Sequence, residues 1–510
     1  MRSTSSWHAA PERSGAGGHS SLVNDARGRD RGGEGDRGAL AIVLHTHMPY
    51  VEGFGTWPFG EEWLWEAIAS SYLPLLELLD AGAPLTLSLT PVLCDQLGAP
   101  GIGERFVRFV DEVRRHTHDE DVRGLRAGGH ETLACELERS WRDYELALER
   151  FARRDGDLLG ALSRHAQWTS SATHAVLPLL ASDAGVRLQV RAGVDSHRAR
   201  FGAGWRGGFW LPECAHAPWL EPALSEAGVR ATCVELTDRL GLGAREHLQP
   251  LLSGAGVVLV PIDRATISLV WSNDGYPAHG SYRDYHHHTV HHHNPWANDG
   301  SAYDHARALE LAREHAADFV ARTRARLRRD GAGLPGGGLA VCALDTELLG
   351  HWWYEGVAWL SAVVDECAAQ GLELVRLDDA LARHQPAPLP ARLACAAAGP
   401  RVSTWGEGED LSTWSGPAVA EMAFAARAGE LQVLRAGAGA GAAAVRELLA
   451  LQASDWAFMV SRELAVPYAR ERFAGHRDAL ARALAGGETA ADSGLRELAA
   501  HADRALLLAP

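Results

Sequence analysis

The chain has 510 residues, 46% of them hydrophobic, so it can bury a large core and carry a second domain. Its 49 Lys and Arg are outnumbered by 65 Asp and Glu, and the net charge of -16 disfavours nucleic acid as a partner. A neutral polymer meets no such electrostatic barrier.

Several features favour a cytoplasmic protein. No apolar run approaches the length of about 18 residues that a membrane span needs, so no membrane contact is expected. The first 25 residues lack the apolar core of a secretory signal. The seven cysteines are scattered without a CxxC pair, which is typical of reduced thiols.

Residues 1–37 are rich in Gly, Ser, Arg and Asp and are predicted to be a disordered tail. Order is predicted to begin at Ala39–Leu44, a continuous apolar run typical of a buried parallel strand. Further runs of this kind lie at 85–89, 209–211, 231–236, 257–260, 339–344 and 372–377, with 164–170 a less regular member.

Amphipathic stretches separate these runs, so the alternation predicts a parallel α/β barrel. About seven strands allow an incomplete or distorted barrel, with catalytic groups at the carboxyl ends of the strands. The predicted helices cover 63–79, 131–153, 176–191, 218–227, 304–328 and 356–370.

A domain boundary is predicted where Pro386–Pro390 and an Ala/Gly stretch interrupt this alternation. The catalytic barrel would then span 38–395, and a helical bundle 396–510. The helices predicted for the bundle are 418–434, 443–464, 468–485 and 495–508.

Two histidines follow the first predicted strand, in His45-Thr-His47. Because they are two residues apart, extended chain puts them on one face. They are candidates for binding substrate hydroxyls or a metal ion, and the alternative is a buried, hydrogen-bonded histidine. Their position at a strand end favours a functional role.

Two carboxylates also follow buried strands. Glu213 comes directly after an apolar run and a proline, which holds it as a nucleophile requires. The alternative is that it caps the helix predicted at Pro218. Asp345 precedes Glu347, His351 and the Trp352–Trp353 pair, and desolvation by indoles raises a carboxyl pKa as a general acid needs. A structural role explains this crowded segment poorly.

Tryptophan is unusually frequent, with 17 residues against 9 Tyr and 11 Phe. Indole faces in strand-end loops suit stacking on sugar rings. The segment Ser403–Trp414 combines tryptophans with acidic groups, and it either contributes to the cleft or caps the next helix through Asp410 or Ser412. The candidate stacking residues are Trp210, Trp353, Trp405 and Trp414.

These segments together resemble glycoside hydrolase family 57, in its branch of 1,4-α-glucan branching enzymes. Three family motifs are similar to His45-Thr-His-Met-Pro49, Trp210-Leu-Pro-Glu-Cys214 and the run Asp345–Trp353. Trp405–Trp414 and Asp455-Trp456 resemble the family's C-terminal domain. The likeness runs from about residue 38 to 480.

The resemblance implies a distorted (β/α)7 TIM-like barrel, with a C-terminal α-helical domain closing part of the cleft. It implies retaining chemistry on an α-1,4-glucan, with Glu213 as nucleophile, Asp345 as acid/base, carboxyls roughly 5–5.5 Å apart, and no metal or other cofactor. The expected product is a branched polymer such as glycogen. Residues expected to contact the glucan are His45, His47, Trp210, His351, Trp352, Trp353, Trp405, Asp410, Trp414 and Asp455.

Two departures from the family pattern keep alternatives open. Ala166 stands where the motif ending Thr169–His174 usually has a Glu, and segment 237–256 lacks the tyrosine of the branching-enzyme loop. A 4-α-glucanotransferase, an amylase-like hydrolase and a catalytically impaired glucan-binding protein are the alternatives. The sequence gives no prediction of oligomeric state.

The tract Tyr285–His293 holds six histidines in nine residues, which invites a zinc or nickel site. No neighbouring carboxylate or cysteine completes a preorganised site, so a solvated loop without a metal role is expected.

Overall fold

Seven strands with apolar, fully buried cores form the centre of the computed structural model, which describes residues 38–55, 59–390, 393, 402–486, 495 and 498–508. They are β1 (Ala39–Thr46), β2 (Thr86–Leu89), β3 (Ala166–Ser170), β4 (Gly208–Trp210), β5 (Ala231–Val234), β6 (Val258–Pro261) and β7 (Leu339–Asp345).

These seven strands are all parallel and adjacent in the order β6-β5-β4-β3-β2-β1-β7. The sheet curls until Asp263, just after β6, donates its backbone N–H to Val341 O of β7 at 2.8 Å. The short strand Leu251–Leu252 pairs antiparallel with β6 and extends the sheet. Ala387–Pro388 pairs in turn with Leu251–Leu252, and Glu373–Leu374 pairs with β1. The predicted distorted seven-stranded barrel is confirmed.

The predicted strand 372–377 is wrong in extent. Only Glu373–Leu374 pairs with β1, and a helix begins at Leu377. Neither strand residue is fully buried, so this pair lies at the margin of the barrel.

Helices surround the barrel. Two long helices contain a π-helical turn, at Ile68–Tyr72 and Phe109–Arg114. The α-helical segments of the barrel part are Glu61–Ala67, Leu73–Asp80, Pro91–Leu97, Ile102–Arg108, Arg115–Ala127, Glu131–Ala152, Leu158–Ser163, Asp183–Phe201, Glu221–Glu226, Thr237–Leu240, Arg264–Ile267, His305–Asp330, Gly356–Gln370 and Leu377–Leu381.

The C-terminal part is helical, as predicted. Its helices are Ser412–Ser415, Ala420–Ala436, Ala442–Leu451, Ser454–Ser461 and Val466–Leu484, and the predicted helix 443–464 is divided at Gln452 and Ala453. The predicted helix 495–508 is a 3-10 turn, Arg504–Leu507, within the described residues.

One apolar cluster joins the C-terminal helices to the loops above the barrel: Leu448 and Trp456 pack in the same buried group as Tyr50, Ala172 and Ala215. Because these loops follow β1, β3 and β4, the cluster places the helices over the carboxyl ends of the strands. The described residues belong to one compact unit. The predicted tail 1–37 and the boundary at 395/396 lie outside the described residues.

A search of the described helices finds none that combines the length and apolar character required to cross a membrane.

Candidate active site

His45 and Asp345 lie side by side at the carboxyl ends of β1 and β7, where they are register partners. Glu213 follows β4, three strands from β1 in the curled sheet. The charge of Glu213 is one cause of the raised pKa of Asp345, so the two carboxyls share one electrostatic environment. The sheet therefore unites the two predicted catalytic residues.

Glu213 is held in an uncommon backbone conformation. Its φ of 62° and ψ of 20° lie in the left-handed region, and Cys214 and His174 also have positive φ. Such a conformation costs about 1–3 kcal/mol in a non-glycine residue and persists only where neighbours fix it. The backbone N–H of Trp405 donates to Glu213 O at 3.0 Å and fastens this turn.

Both carboxylate oxygens of Glu213 accept a hydrogen bond from the C-terminal part of the chain. Ser454 Oγ donates to Oε1 at 2.9 Å, and Trp405 Nε1 donates to Oε2 at 3.1 Å. Bridges between His216 and Ser403 and between Ala175 and Ala453 hold this segment against the barrel loops. The alternative that Glu213 caps the helix at Pro218 is not observed, because its carboxylate makes these contacts and that helix has no side-chain cap.

A chain of hydrogen bonds runs through two histidines to Glu213. Burial lowers the pKa of His45 and of His174, so both rings are neutral and each has one donor and one acceptor nitrogen. With ionised Glu213 accepting from Ser454, His174 Nδ1 donates to Ser454 Oγ at 2.8 Å, and His45 Nε2 donates to His174 Nε2 at 2.9 Å. Ser88 Oγ donates to His45 Nδ1 at 3.4 Å.

His47 belongs to a separate charged pair. Its Nε2 donates to Asp455 Oδ1 at 2.8 Å, and its backbone N–H donates to Glu347 Oε1 at 3.2 Å. Burial alone lowers the pKa of His47, but the charges of Asp455, Glu347 and Glu213 outweigh it and raise that pKa. Tyr72 also donates to Glu347 Oε1 at 2.7 Å, from the first π-helical turn.

The carboxyl groups of the site hold protons more tightly than free ones. Burial raises the pKa of Glu213 to about 7, although Trp405 and Ser454 oppose it. Burial, Glu347 and Glu213 together raise the pKa of Asp345 well above its usual range. Burial raises the pKa of Glu347 to about 7 as well. A proton on Asp345 beside an ionised Glu213 is the arrangement that an acid and a nucleophile need.

Among the described residues, His47, His174 and Asp455 each bring one ligand atom to within 4.8 Å of the other two, so the group is a candidate for holding a metal ion. The rings of His47 and His174 stack, however, with centroids 4.0 Å apart and planes 18° apart. Ring nitrogen lone pairs lie in the ring plane, so stacked rings do not direct them at one ion. In this structure their side chains are instead hydrogen-bonded to protein groups, His47 to Asp455 and Thr90, and His174 to His45 and Ser454.

Three predicted stacking residues are too deeply buried to meet a sugar. Trp210, Trp353 and Trp414 are 0%, 1% and 2% exposed. Their predicted role in stacking on sugar is therefore wrong, and they are core residues. Trp210 stacks on His45 at 4.6 Å and so supports the site from beneath. Trp405 is partly exposed and meets Trp271 edge to face at 5.7 Å.

Of the other predicted substrate contacts, Trp352 and His351 lie together, whereas Asp410 has a structural role. Trp352 is 42% exposed and packs on Tyr285, with His351 edge-on to the same ring at 5.6 Å. Asp410 is exposed and accepts the Ser412 N–H at 2.8 Å, so it caps the next turn, the structural alternative given above. Ala166 begins β3, at the opposite end from Ser170 and the site.

Sequence reasoning missed His174, Ser454 and Tyr72. His174 closes the intact run from Thr169, which was the available signal for it. Ser454 adjoins Asp455 but has no local pattern. Tyr72 lies inside an ordinary amphipathic helix.

Comparisons with known proteins identify the relatives of this chain. The family model described as "Glycosyl hydrolase family 57" matches residues 167–391, and "1,4-alpha-glucan branching enzyme, C-terminal" matches 421–504. A 1,4-alpha-glucan branching enzyme of Thermococcus kodakarensis is 31% identical over 86% of this chain and 72% of its own length. A probable 1,4-alpha-glucan branching enzyme of Mycobacterium tuberculosis is 31% identical, with coverages of 88% and 93%.

Among solved structures, a family 57-type branching enzyme from Pyrococcus horikoshii superposes with a TM-score of 0.81 at 28% identity. The match covers 93% of this chain and 97% of that one. The chain therefore belongs to glycosyl hydrolase family 57, as predicted. Within that family, the relatives named here are branching enzymes.

Proposed function

We propose that the chain is a retaining 1,4-α-glucan branching enzyme. The observation that carries this proposal lies in the region that matches the branching-enzyme C-terminal model: Ser454 and Asp455 hydrogen-bond Glu213 and His47. The helical part thus supplies groups to the catalytic carboxylate itself. We also propose the division into a barrel over 38–395 and a helical domain over 396–510 that completes the cleft.

In the first step, ionised Glu213 attacks the anomeric carbon of an α-1,4-linked glucose. The bond from that carbon to O4 breaks, and Asp345 donates its proton to the departing O4. The product is a glucosyl ester of Glu213 and a shortened glucan. Trp405 and Ser454, which each donate to one oxygen of Glu213, hold the carboxylate in place for attack.

In the second step, Asp345 acts as base. It takes the proton of an acceptor 6-hydroxyl, whose oxygen attacks the anomeric carbon while the ester bond to Glu213 breaks. Inversion occurs twice, so the α configuration is retained. Capture by a 4-hydroxyl gives disproportionation, and capture by water gives hydrolysis.

Substrate contacts are proposed for His47, His351, Trp352, Trp405 and Asp455. His45, predicted as a further contact, is 1% exposed and hydrogen-bonded to His174, so it supports the site instead. The proposed polymer is glycogen or a similar α-1,4-glucan. A cytoplasmic location fits the free cysteines found among the described residues, at positions 94, 135, 214, 233, 342 and 367.

Incubation with amylose tests the activity, with α-1,6 linkages and new reducing ends counted in the same sample. Branching predicts that α-1,6 linkages accumulate with few reducing ends. Reducing ends alone indicate a hydrolase, redistributed chain lengths without either signal indicate a 4-α-glucanotransferase, and no change indicates a glucan-binding protein. Each of the last three results contradicts the proposal.

A further inference from the structure

Two carboxylates of the helix Arg115–Ala127 lie against the histidine tract. His291 Nδ1 is 2.8 Å from Asp121 Oδ1, and His291 Nε2 is 3.5 Å from Glu120 Oε2. Carboxylates therefore adjoin the tract, but among the described residues they do not form a preorganised ligand set with it, since the group of ligand atoms within 4.8 Å of one another lies in the active site. These side chains are separated by about 170 residues in sequence, so no local pattern could pair them.

A second histidine reaches the other oxygen of Glu120. His116 precedes Glu120 by four residues on the same helix, and its Nε2 lies 3.6 Å from Glu120 Oε1. Residues four apart share one face of a helix and are a common pair of metal ligands. Glu120 thus stands between two imidazole nitrogens that approach it from different elements.

The orientation of His291 suits a ligand. Asp121 is buried and accepts a hydrogen bond from Nδ1–H, which leaves the lone pair on Nε2 directed at Glu120. A carboxylate that fixes the far nitrogen in this way is the usual support of a metal-bound histidine. Thr289 also donates to Asp121 and strengthens that anchor.

We propose that His116, Glu120 and His291 form a binding site for Zn²⁺ or a similar borderline divalent cation. Two imidazoles and a carboxylate are a ligand set that zinc accepts, with water in the fourth position. Binding one ion with all three ligands requires the exposed side chain of His116 to rotate toward His291. Arg123, 3.8 Å from Glu120 Oε1 and also exposed, is displaced by the ion.

The proposed ion would pin the tract to the helix. Arg114 already donates to the carbonyl oxygens of His291 and His292, at 2.8 and 3.1 Å. The tract begins at Tyr285, which packs on Trp352 of the segment that follows Asp345. Zinc would therefore stabilise the surface next to the catalytic strand without entering the active site.

The test measures Zn²⁺ binding to the full chain without an affinity tag, by equilibrium dialysis, together with the shift in Tm. We expect one bound ion and a rise in Tm. Glu120→Gln, a shape-preserving change at a partly exposed position, should weaken binding at least about tenfold and abolish the Tm shift, as should His116→Ala. His291→Ala should do the same, but Glu120→Gln carries the decision because it leaves the Asp121 anchor intact.

The matched control replaces the three exposed histidines of the same tract, His286, His287 and His288, with alanine. Affinity should stay within about twofold if the site is the one proposed. A second control, Asp455→Asn, removes the carboxylate of the active-site group and should leave this binding unchanged.

The proposal is overturned if the wild-type chain binds no stoichiometric zinc, if the triple variant loses binding, or if Glu120→Gln binds as tightly as wild type. None of these outcomes depends on the branching assay, so failure of this inference and of the proposed function remain distinguishable.

Discussion

Ser454 Oγ lies 2.9 Å from Glu213 Oε1, although the two residues are 241 positions apart in the chain. This hydroxyl also receives the end of the hydrogen-bond chain through His45 and His174. The carboxylate that follows β4 is thus positioned as much by the C-terminal helices as by its own strand.

Ser454→Ala should reduce kcat/KM about 10- to 100-fold, because hydrogen bonds to charged groups contribute about 1.5–3 kcal/mol. The lost bond favours ionised Glu213, so its pKa should rise and the acidic limb of the pH profile should move to higher pH. Steady-state rates against pH measure both effects. Ser461→Ala, which removes a hydroxyl from the same helix, is the control, and equal losses in the two variants would refute this role for Ser454.

Glu213→Gln should lower branching activity by about 10⁴-fold or more, because the glucosyl ester cannot form. The measurement is α-1,6 linkage formation on amylose, with circular dichroism to verify folding. Glu226→Gln, an exposed change on the helix Glu221–Glu226, should keep wild-type activity. Near-full activity of Glu213→Gln would show that another residue is the nucleophile.

The activity should depend on pH as a bell. Below about pH 7 Glu213 is protonated and cannot attack, so the rate should rise with pH through that value. At higher pH Asp345 loses the proton that it must donate, and the rate should fall. Because Glu213 and Asp345 interact, the pKa values read from the two limbs of the profile belong to the pair and not to either residue alone.

Glu347→Gln tests the cause of the alkaline limb. The charge of Glu347 helps to raise the pKa of Asp345, so its removal should move that limb to lower pH. Profiles of kcat/KM from about pH 5 to pH 10 measure the shift. If the alkaline limb stays at the same pH in the variant, it does not arise from the titration of Asp345.

Trp210→Ala should destabilise the protein by about 3–5 kcal/mol, because a fully buried indole leaves a cavity under His45. Trp352→Ala, at an exposed position, should change the free energy of unfolding by about 0.5 kcal/mol or less while raising KM for amylose. Urea unfolding and steady-state kinetics measure the two. Similar stability losses in both variants would contradict their different burial.

The strands of the barrel could be predicted from the sequence because buried strands appear as continuous apolar runs. Ala39–Leu44 reads as a strand because a barrel strand is covered on both faces. Glu213 and Asp345 were predicted to be catalytic because each stands directly after an apolar run in the sequence, and parallel strands bring their carboxyl ends together.

Tryptophan was misread because its indole serves equally in a core and on a sugar, and sequence does not show which side of a loop faces solvent. Trp210 is the last residue of the strand that Glu213 follows, and its side chain packs inward. Contacts between residues distant in sequence could not be predicted for a different reason. Asp121 and His291, for example, lie on separate elements that meet only in the folded chain.

The hydrogen bond between His47 and Asp455 joins residues 408 positions apart. On a ribosome the barrel strands would emerge long before Asp455 and Ser454, so the nascent chain would carry both catalytic carboxyls without the groups that orient Glu213 and His47. Long-range closure of this kind comes late in folding. The polypeptide would thus remain catalytically silent during synthesis, and competence would arrive with the helices that are translated last.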